Sequence, residues 1–250
     1  VVTATNDYPA GHVTVTKVLA GGAGELATAA KFRVAVTCER DLVGGGTETI
    51  LEKSVTLKGG ESVQLADPLP LHARCWGTET VTGGAVKVAI DHGSKADAVE
   101  VTPAHPLISI TATNHFPRTH LVVKKKTKGA VAKGKTFDFS VKCKVGYGDT
   151  AWRVALPDAD RKFTLGSGDK RRITVPVGAR CVVKETSSGG ARKVTYTDSE
   201  GKKHDGIVVL TSQEKVAVTN TFPRRGTGTD TNHGRNTDTG VRITSGHRST

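Results

Sequence analysis

The stretch ITATNHFP at 110–117 has two near copies in the same chain, VTATNDYP at 2–9 and VAVTNTFP at 216–223. Apolar and polar positions alternate in each, which is the period of a β-strand with one buried face. An asparagine then falls at a position whose parity assigns it to the core side. A carboxamide there costs free energy unless its hydrogen bonds are met. The stretch therefore specifies a strand and also poses a chemical question.

Working backwards from these strands, the chain aligns with itself, a pattern that decides architecture before any local reading. HVTVTKV at 12–18 matches HLVVKKK at 120–126, and FRVAVTC at 32–38 matches FDFSVKC at 137–143. PLHARC at 70–75 matches PVGARC at 176–181, and TETVTGGAVKV at 78–88 matches KETSSGGARKV at 184–194. Cys75 to Glu79 and Cys181 to Glu185 are both intervals of four, and Glu79 to Asn114 and Glu185 to Asn220 are both intervals of 35. Coincidence does not keep so many landmarks in order.

Repeat 1 thus spans 10–117 and repeat 2 spans 118–223. Each holds about seven short Val- and Thr-rich runs broken by Gly and Pro, the spacing of an Ig-like β-sandwich. The expected fold is all-β, two tandem sandwiches. The Gly-Gly pairs at 83–84 and 189–190 lie between β-like runs and predict hairpin turns. Residues 1–9 read as the closing strand of a truncated preceding unit, so further chain is expected upstream. From Arg224 to Thr250 almost nothing is apolar, and a disordered tail is expected.

Composition agrees. With 250 residues, 29 Gly, 9 Pro and 4% aromatics, the chain suits two domains better than one large enzyme core. It has no Met, no leader-like apolar segment with a basic flank, and no apolar run long enough to cross a bilayer as a helix. That suggests a processed or excised piece. No Gly-rich phosphate loop, GxSxG elbow, HExxH helix or closely spaced carboxylate pair stands in a credible context, so no enzyme and no cofactor is implied. GGG at 44–46 reads as a loop. The chain has no N-x-S/T acceptor and no LPxTG-like sorting signal, of which TGTDTNHG at 227–234 is only a faint echo.

The four cysteines fall two per repeat at matched positions, Cys38 with Cys75 and Cys143 with Cys181. No C-x-x-C pair or clustered histidine accompanies them, so no metal site is expected. The pattern favours one disulfide inside each repeat over pairs of buried thiols, and so points to an oxidising, extracellular compartment.

Parity answers the asparagine question. Val13, Val15 and Lys17 share a face, as do Leu121, Val123 and Lys125. Phe32, Val34, Val36 and Cys38 share another, matched by Phe137, Phe139, Val141 and Cys143. Glu79 has the parity of Cys75, Glu185 that of Cys181, and Asn114 and Asn220 point the same way as their apolar neighbours. Each repeat aims one Lys, one Glu and one Asn inward, whereas Lys124 and Lys126 point outward and read as solvated charges. Burial lowers a lysine pKa and raises a glutamate pKa. A neutral amine is a nucleophile, and a protonated carboxyl beside it can polarise the carboxamide and relay protons. If the two outer strands hold amine and carbonyl together, proximity lowers the rest of the barrier. The product is a side-chain amide with release of ammonia: Lys17 to Asn114 assisted by Glu79, and Lys125 to Asn220 assisted by Glu185. The plainer outcome is an unreacted Lys–Glu ion pair hydrogen-bonded to Asn, and parity leaves both open.

These residues carry a resemblance. VTK in the first strand, an ET glutamate in a central strand and TNTF in the last resemble Cna B-type domains of Gram-positive surface proteins and pilins. The resemblance implies an autocatalytic, glutamate-assisted Lys–Asn isopeptide bond. The cysteine-bearing variant, with FxVxVxC, PxGxxC and ET before VTNTFP, is most similar to Ig-like repeats of actinobacterial surface proteins. The disulfide departs from the general Cna B pattern. The function so implied is a non-enzymatic stalk or fibre segment, surface-displayed or secreted, whose partners are neighbouring repeats. Asn6 in the 2–9 strand has no Lys or Glu partner ahead of it, and a sharper reading inserts that strand into a neighbouring chain.

The net charge of +12 is uneven: repeat 1 carries −2 and repeat 2 carries +12. A second class of function follows, a binding module in which repeat 2 meets an anionic polymer such as a wall polymer, host glycan or nucleic acid. Specific nucleic-acid binding is disfavoured, because Tyr147, Trp152 and Tyr196 are the few aromatic candidates among the lysines. A third reading is a decoration domain of a phage or virion surface.

Overall fold

The computed structural model describes residues 10–131 and 133–224. The closing strand expected at 2–9, and all but the first residue of the tail expected at 224–250, lie outside them. The first half contains β1 (Ala10–Ala20), β2 (Phe32–Asp41), β3 (Thr47–Leu57), β4 (Ser62–Gln64), β5 (Leu69–Pro70), β6 (Arg74–Val81), β7 (Lys87–Ile90), β8 (Val99–Glu100) and β9 (Leu107–His115). The second half contains β10 (Arg118–Lys128), β11 (Thr136–Val145), β12 (Trp152–Arg153), β13 (Lys162–Gly166), β14 (Lys170–Pro176), β15 (Ala179–Glu185), β16 (Lys193–Thr197), β17 (Lys203–His204), β18 (Ile207–Leu210) and β19 (Glu214–Thr221). Among the described residues helix is confined to single turns, such as Gly24–Ala27 and Asp158–Arg161.

Each half is a two-sheet sandwich. In the first, the sheet β4–β1–β9–β7, with β5 on β1, packs against β3–β2–β6–β8. In the second, β14–β10–β19–β16–β17 packs against β12–β11–β15–β18, with β13 on β11. The alternation read from the sequence is the alternation of burial: Val13, Val15, Val34 and Val36 are fully buried, as are Leu121, Val123 and Val216. Facing apolar rows from the two sheets fill each core.

Two expectations are corrected. The first and last strands of each repeat are not outer strands. They are central neighbours running parallel, with Lys17 level with Ala112 and Lys125 level with Val218. The Gly-Gly turns are not hairpins either. All four glycines do have positive φ (60° and 76°, 59° and 83°), as a tight turn of that composition requires. But the strands they join lie in different sheets: β7 pairs with β9, and β16 with β19. Local turn chemistry was legible; the change of sheet was not.

The halves differ along one edge. In the first, β3 pairs with β2 along its whole length, with a register shift after Cys38. In the second, the matching edge is split into β12 and β13 around Pro157 and a single helical turn, a break that proline's missing donor favours. The β11–β12 segment reaches the first domain. Trp152 packs edge-on against Phe116, with ring centroids 5.8 Å apart, and its Nε1 donates to the Gly83 carbonyl at 2.7 Å. Ala155 N donates to the Leu26 carbonyl at 3.1 Å. Buried side chains run without interruption from Leu26, Phe32 and Phe116 into Trp152, Val154 and Leu156.

Candidate functional site

The geometry begins with parallel pairing. Because Lys17 sits beside Ala112 in register, Asn114, two residues on, projects from the same face of the sheet within reach of the lysine. Glu79 arrives from the opposite sheet on β6, level with Val34. Lys17 and Asn114 are fully buried, and the Glu79 side chain is 1% exposed. Lys17 Nζ donates to Glu79 Oε2 at 3.1 Å and to Asn114 Oδ1. Asn114 Nδ2 donates to Glu79 Oε1 at 2.9 Å and to the Thr82 carbonyl at 2.9 Å. The three side chains form a closed ring of contacts, and the Thr82 contact ties it to the sheet-changing turn.

The second domain repeats the arrangement with one difference. Asn220 Nδ2 donates to Glu185 Oε1 at 2.8 Å and to the Ser188 carbonyl at 3.0 Å. Lys125 Nζ lies 3.4 Å from Glu185 Oε1 and donates to the Val218 carbonyl. Glu185 Oε2 and Asn220 Oδ1 are buried without hydrogen-bond partners. Those orphan atoms are a second acceptor on the acid and the carbonyl oxygen of the amide.

A phenylalanine closes each site, with Lys17 Nζ 4.6 Å from the Phe32 ring centroid and Lys125 Nζ 4.3 Å from that of Phe137. The ring faces attract an ammonium and exclude the water that would otherwise solvate it. Burial pushes the pKa of Lys17 and Lys125 down against the raising pull of the adjacent glutamates. Burial pushes Glu185 up, opposed by its hydrogen bond from Asn220 and by Lys125. Both directions favour the neutral forms, amine and carboxylic acid.

The sequence placed all six of these side chains inward, and the structure brings them together three and three. What sequence reading missed were the aromatic lids and the Thr82 and Ser188 carbonyls. Parity places Phe32 and Phe137 on the core face without marking them as lids, and the signal for the carbonyls is the glycine pair that follows each. A Cβ on Gly83 would meet Phe32 Cε1 at 2.8 Å, so the turn must be bare where it passes the lid.

Both disulfides are present, Cys38–Cys75 and Cys143–Cys181. Each joins directly opposed residues of neighbouring strands within one sheet, β2 with β6 and β11 with β15. Among the described residues no cluster of His, Cys, Asp or Glu is arranged to hold a metal ion, and no helix is long and apolar enough to cross a membrane.

Fold and site define a tandem β-sandwich protein whose domains each carry a cross-strand disulfide and a buried Lys–Glu–Asn triad. The chain belongs to the family described as Domain of unknown function (DUF5979), whose model matches residues 13–117 and again 121–223. No curated protein matches it. Similar solved structures include the major pilin T-13 of Streptococcus pyogenes, 14% identical, covering 85% of this chain and 97% of that one with a TM-score of 0.48. Another is the major pilin from Streptococcus pyogenes, 17% identical, with coverage of 87% and 100% and a TM-score of 0.46. A pilus-presented adhesin matches at 18% identity, with coverage of 64% and 39% and a TM-score of 0.32. The functional reading rests on the triads, not on these likenesses.

Proposed function

We propose that the chain is a non-enzymatic stalk or fibre segment of a secreted or surface-displayed protein, each domain locked by its disulfide and by a Lys–Asn isopeptide bond. The observation that carries this reading is the buried triad, present twice, in which the glutamate meets both the amine and the carboxamide, with the amine also reaching the carboxamide oxygen in the first domain, and no side chain faces water. In the reaction the neutral lysine Nζ attacks the asparagine Cγ. Protonated glutamate donates to Oδ1, takes a proton from the attacking amine and delivers one to Nδ2. The Cγ–Nδ2 bond breaks and ammonia leaves; as the carbonyl re-forms, the proton on Oδ1 returns to the glutamate, which ends protonated as it began. The glutamates act once each and only on their own domain.

The mechanical logic follows from the pairing. The bond would join the first and last strands, the two that lead into and out of each domain, so load along the array would pass through a covalent link instead of a hydrogen-bonded ladder. Disulfides of this kind persist outside the cytoplasm, which supports an extracellular location. Neighbouring domains of the same array are the partners this role requires.

Intact mass tests the proposal. The native protein should be short by two ammonias beyond the hydrogens of its two disulfides, and a Glu79→Gln, Glu185→Gln variant should regain both ammonias. Glutamine keeps the shape and the Asn hydrogen bond but cannot relay a proton, so the folded variant separates chemistry from stability. A native mass short only by the disulfide hydrogens would reduce the triads to polar networks.

A further inference from the structure

Even-numbered residues of β10 point away from the core, because Leu121, Val123 and Lys125 are buried. Strand register then places Lys124, Lys126 and Lys128 on one outer face with Lys170 and Arg172 of β14, Lys215 of β19, Lys193 of β16 and Lys203 of β17. Lys124 and Lys215 are half-buried and the other six are exposed. None of the eight ion-pairs with a carboxylate among the described residues, and the acidic partners in this domain go to Lys125, Arg161 and Arg171.

The first domain is an internal control. Its matching face has Thr16, Val18, Ser62, Gln64 and Ser109 where the second has Lys124, Lys126, Lys170, Arg172 and Lys215; only Lys193 has a cationic counterpart, Lys87. The same sheet therefore forms without these charges. Lys124 stands directly opposite Lys170, a like-charge pair that destabilises a ladder. The field is visible at His120, whose pKa is pushed down by burial and then by Arg172 and Arg118. Charges that the fold does not need, and that oppose it, point to a role outside the fold.

We propose that the outer face of β14–β10–β19–β16–β17 docks a linear phosphodiester polymer without aromatic bases. Along β10 the ammonium groups recur every second residue, about 6.7 Å apart, and the strands lie about 4.8 Å apart, a grid that an extended polyanion can follow. Seven of the eight cations are lysines, compact point charges suited to a tetrahedral oxyanion. Planar carboxylates are better met by the arginine fork. Thr174, Thr195, Thr197, Thr219 and Thr221 lie between them on the same face, adding hydroxyls for a polyol or sugar backbone. Among the described residues the face offers no indole, phenol or phenyl ring for a base to stack on, only the half-buried imidazole of His120 beside Thr174: Trp152 is buried in the domain joint, and Tyr196 turns inward, its Oη accepting from Glu185 N. This inference gives the binding-module reading a specific surface, and it is independent of cross-linking, since a chain lacking both Lys–Asn bonds would carry the same face.

The test is retention of the whole chain on poly(glycerol phosphate) as salt is raised. Five substitutions to first-domain residues, Lys124→Thr, Lys126→Val, Lys170→Ser, Arg172→Gln and Lys215→Ser, remove the grid with side chains that this sheet already tolerates. Neutralising Lys142, Lys144, Arg153, Arg180 and Lys184 on the opposite sheet removes equal charge elsewhere. Binding should persist near 150 mM salt, fall at least about tenfold in the face variant and flatten its salt slope by up to about 3.5, with a much smaller change in the control. Equal loss in the two variants would sink the face while leaving binding by the basic domain standing. No native binding at that salt would sink both. Tighter retention on heparin than on poly(glycerol phosphate) would overturn the phosphodiester assignment in favour of a sulfated glycan.

Discussion

Lys125 and Glu185 face each other in a space that favours the neutral form of both, and the pH response of an unreacted site follows from that. The lysine's folded pKa lies below its ordinary 10.5. At alkaline pH the native state thus binds fewer protons than the unfolded chain, and stability rises with pH up to that value. The glutamate's folded pKa lies above its ordinary 4.5, so stability is lost as pH rises from there through the folded value. An Asn220→Ala variant, unable to form the bond, should therefore show a stability trough between the two folded pKa values. Urea midpoints of the second-domain transition between about pH 4 and about pH 10 read it directly. If the proposed amide forms and consumes its lysine, the wild-type chain should lack the alkaline recovery. A wild type with the same recovery would mean an unreacted lysine.

At the scale of elements, each domain is tied where its strands already pair. Cys38 and Cys75 are 37 residues apart, and closing such a loop stabilises by about 4 kcal/mol in the chain-entropy model. A Cys38→Ala, Cys75→Ala variant should lose about 2–4 kcal/mol from the first-domain transition alone, as measured by denaturant unfolding, with the second domain unmoved. The turn after β6 shows how a local motif serves a distant site. Its glycines let the chain pass Phe32, its Thr82 carbonyl holds the Asn114 carboxamide, and its Gly83 carbonyl receives Trp152. In the second domain the equivalent Gly189 carbonyl is taken by that domain's own Lys135, whose Nζ also lies 5.6 Å from the Phe222 ring. Ala30 occupies the Lys135 position in the first domain and leaves the carbonyl free for its neighbour.

At the scale of the whole molecule, Trp152 couples the domains. The residue is 5% exposed, and its indole bears on Phe116, which in turn bears on Phe32, the lid of the first triad. Trp152→Ala should cost about 3–5 kcal/mol and move the first- and second-domain calorimetric transitions further apart, with a larger radius of gyration in small-angle scattering. Unchanged transitions would mean that the joint contributes little to coupling.

The sequence by itself determined the strands, the tandem units, the disulfide partners and the inward aim of Lys17, Glu79, Asn114 and their second-domain equivalents. All of these follow from period-two alternation and from landmarks kept at fixed intervals. Only the tertiary structure decided which strands are neighbours. Pairing depends on contacts between segments nearly a hundred residues apart, and no local pattern records that β1 lies beside β9 or that a glycine turn changes sheets. The same holds for the cationic face. Parity put Lys124 and Lys126 outside, but register across β10, β14 and β19 was needed to gather them with Lys170, Arg172 and Lys215, because charges distant in sequence add only where hydrogen-bonded strands set them side by side.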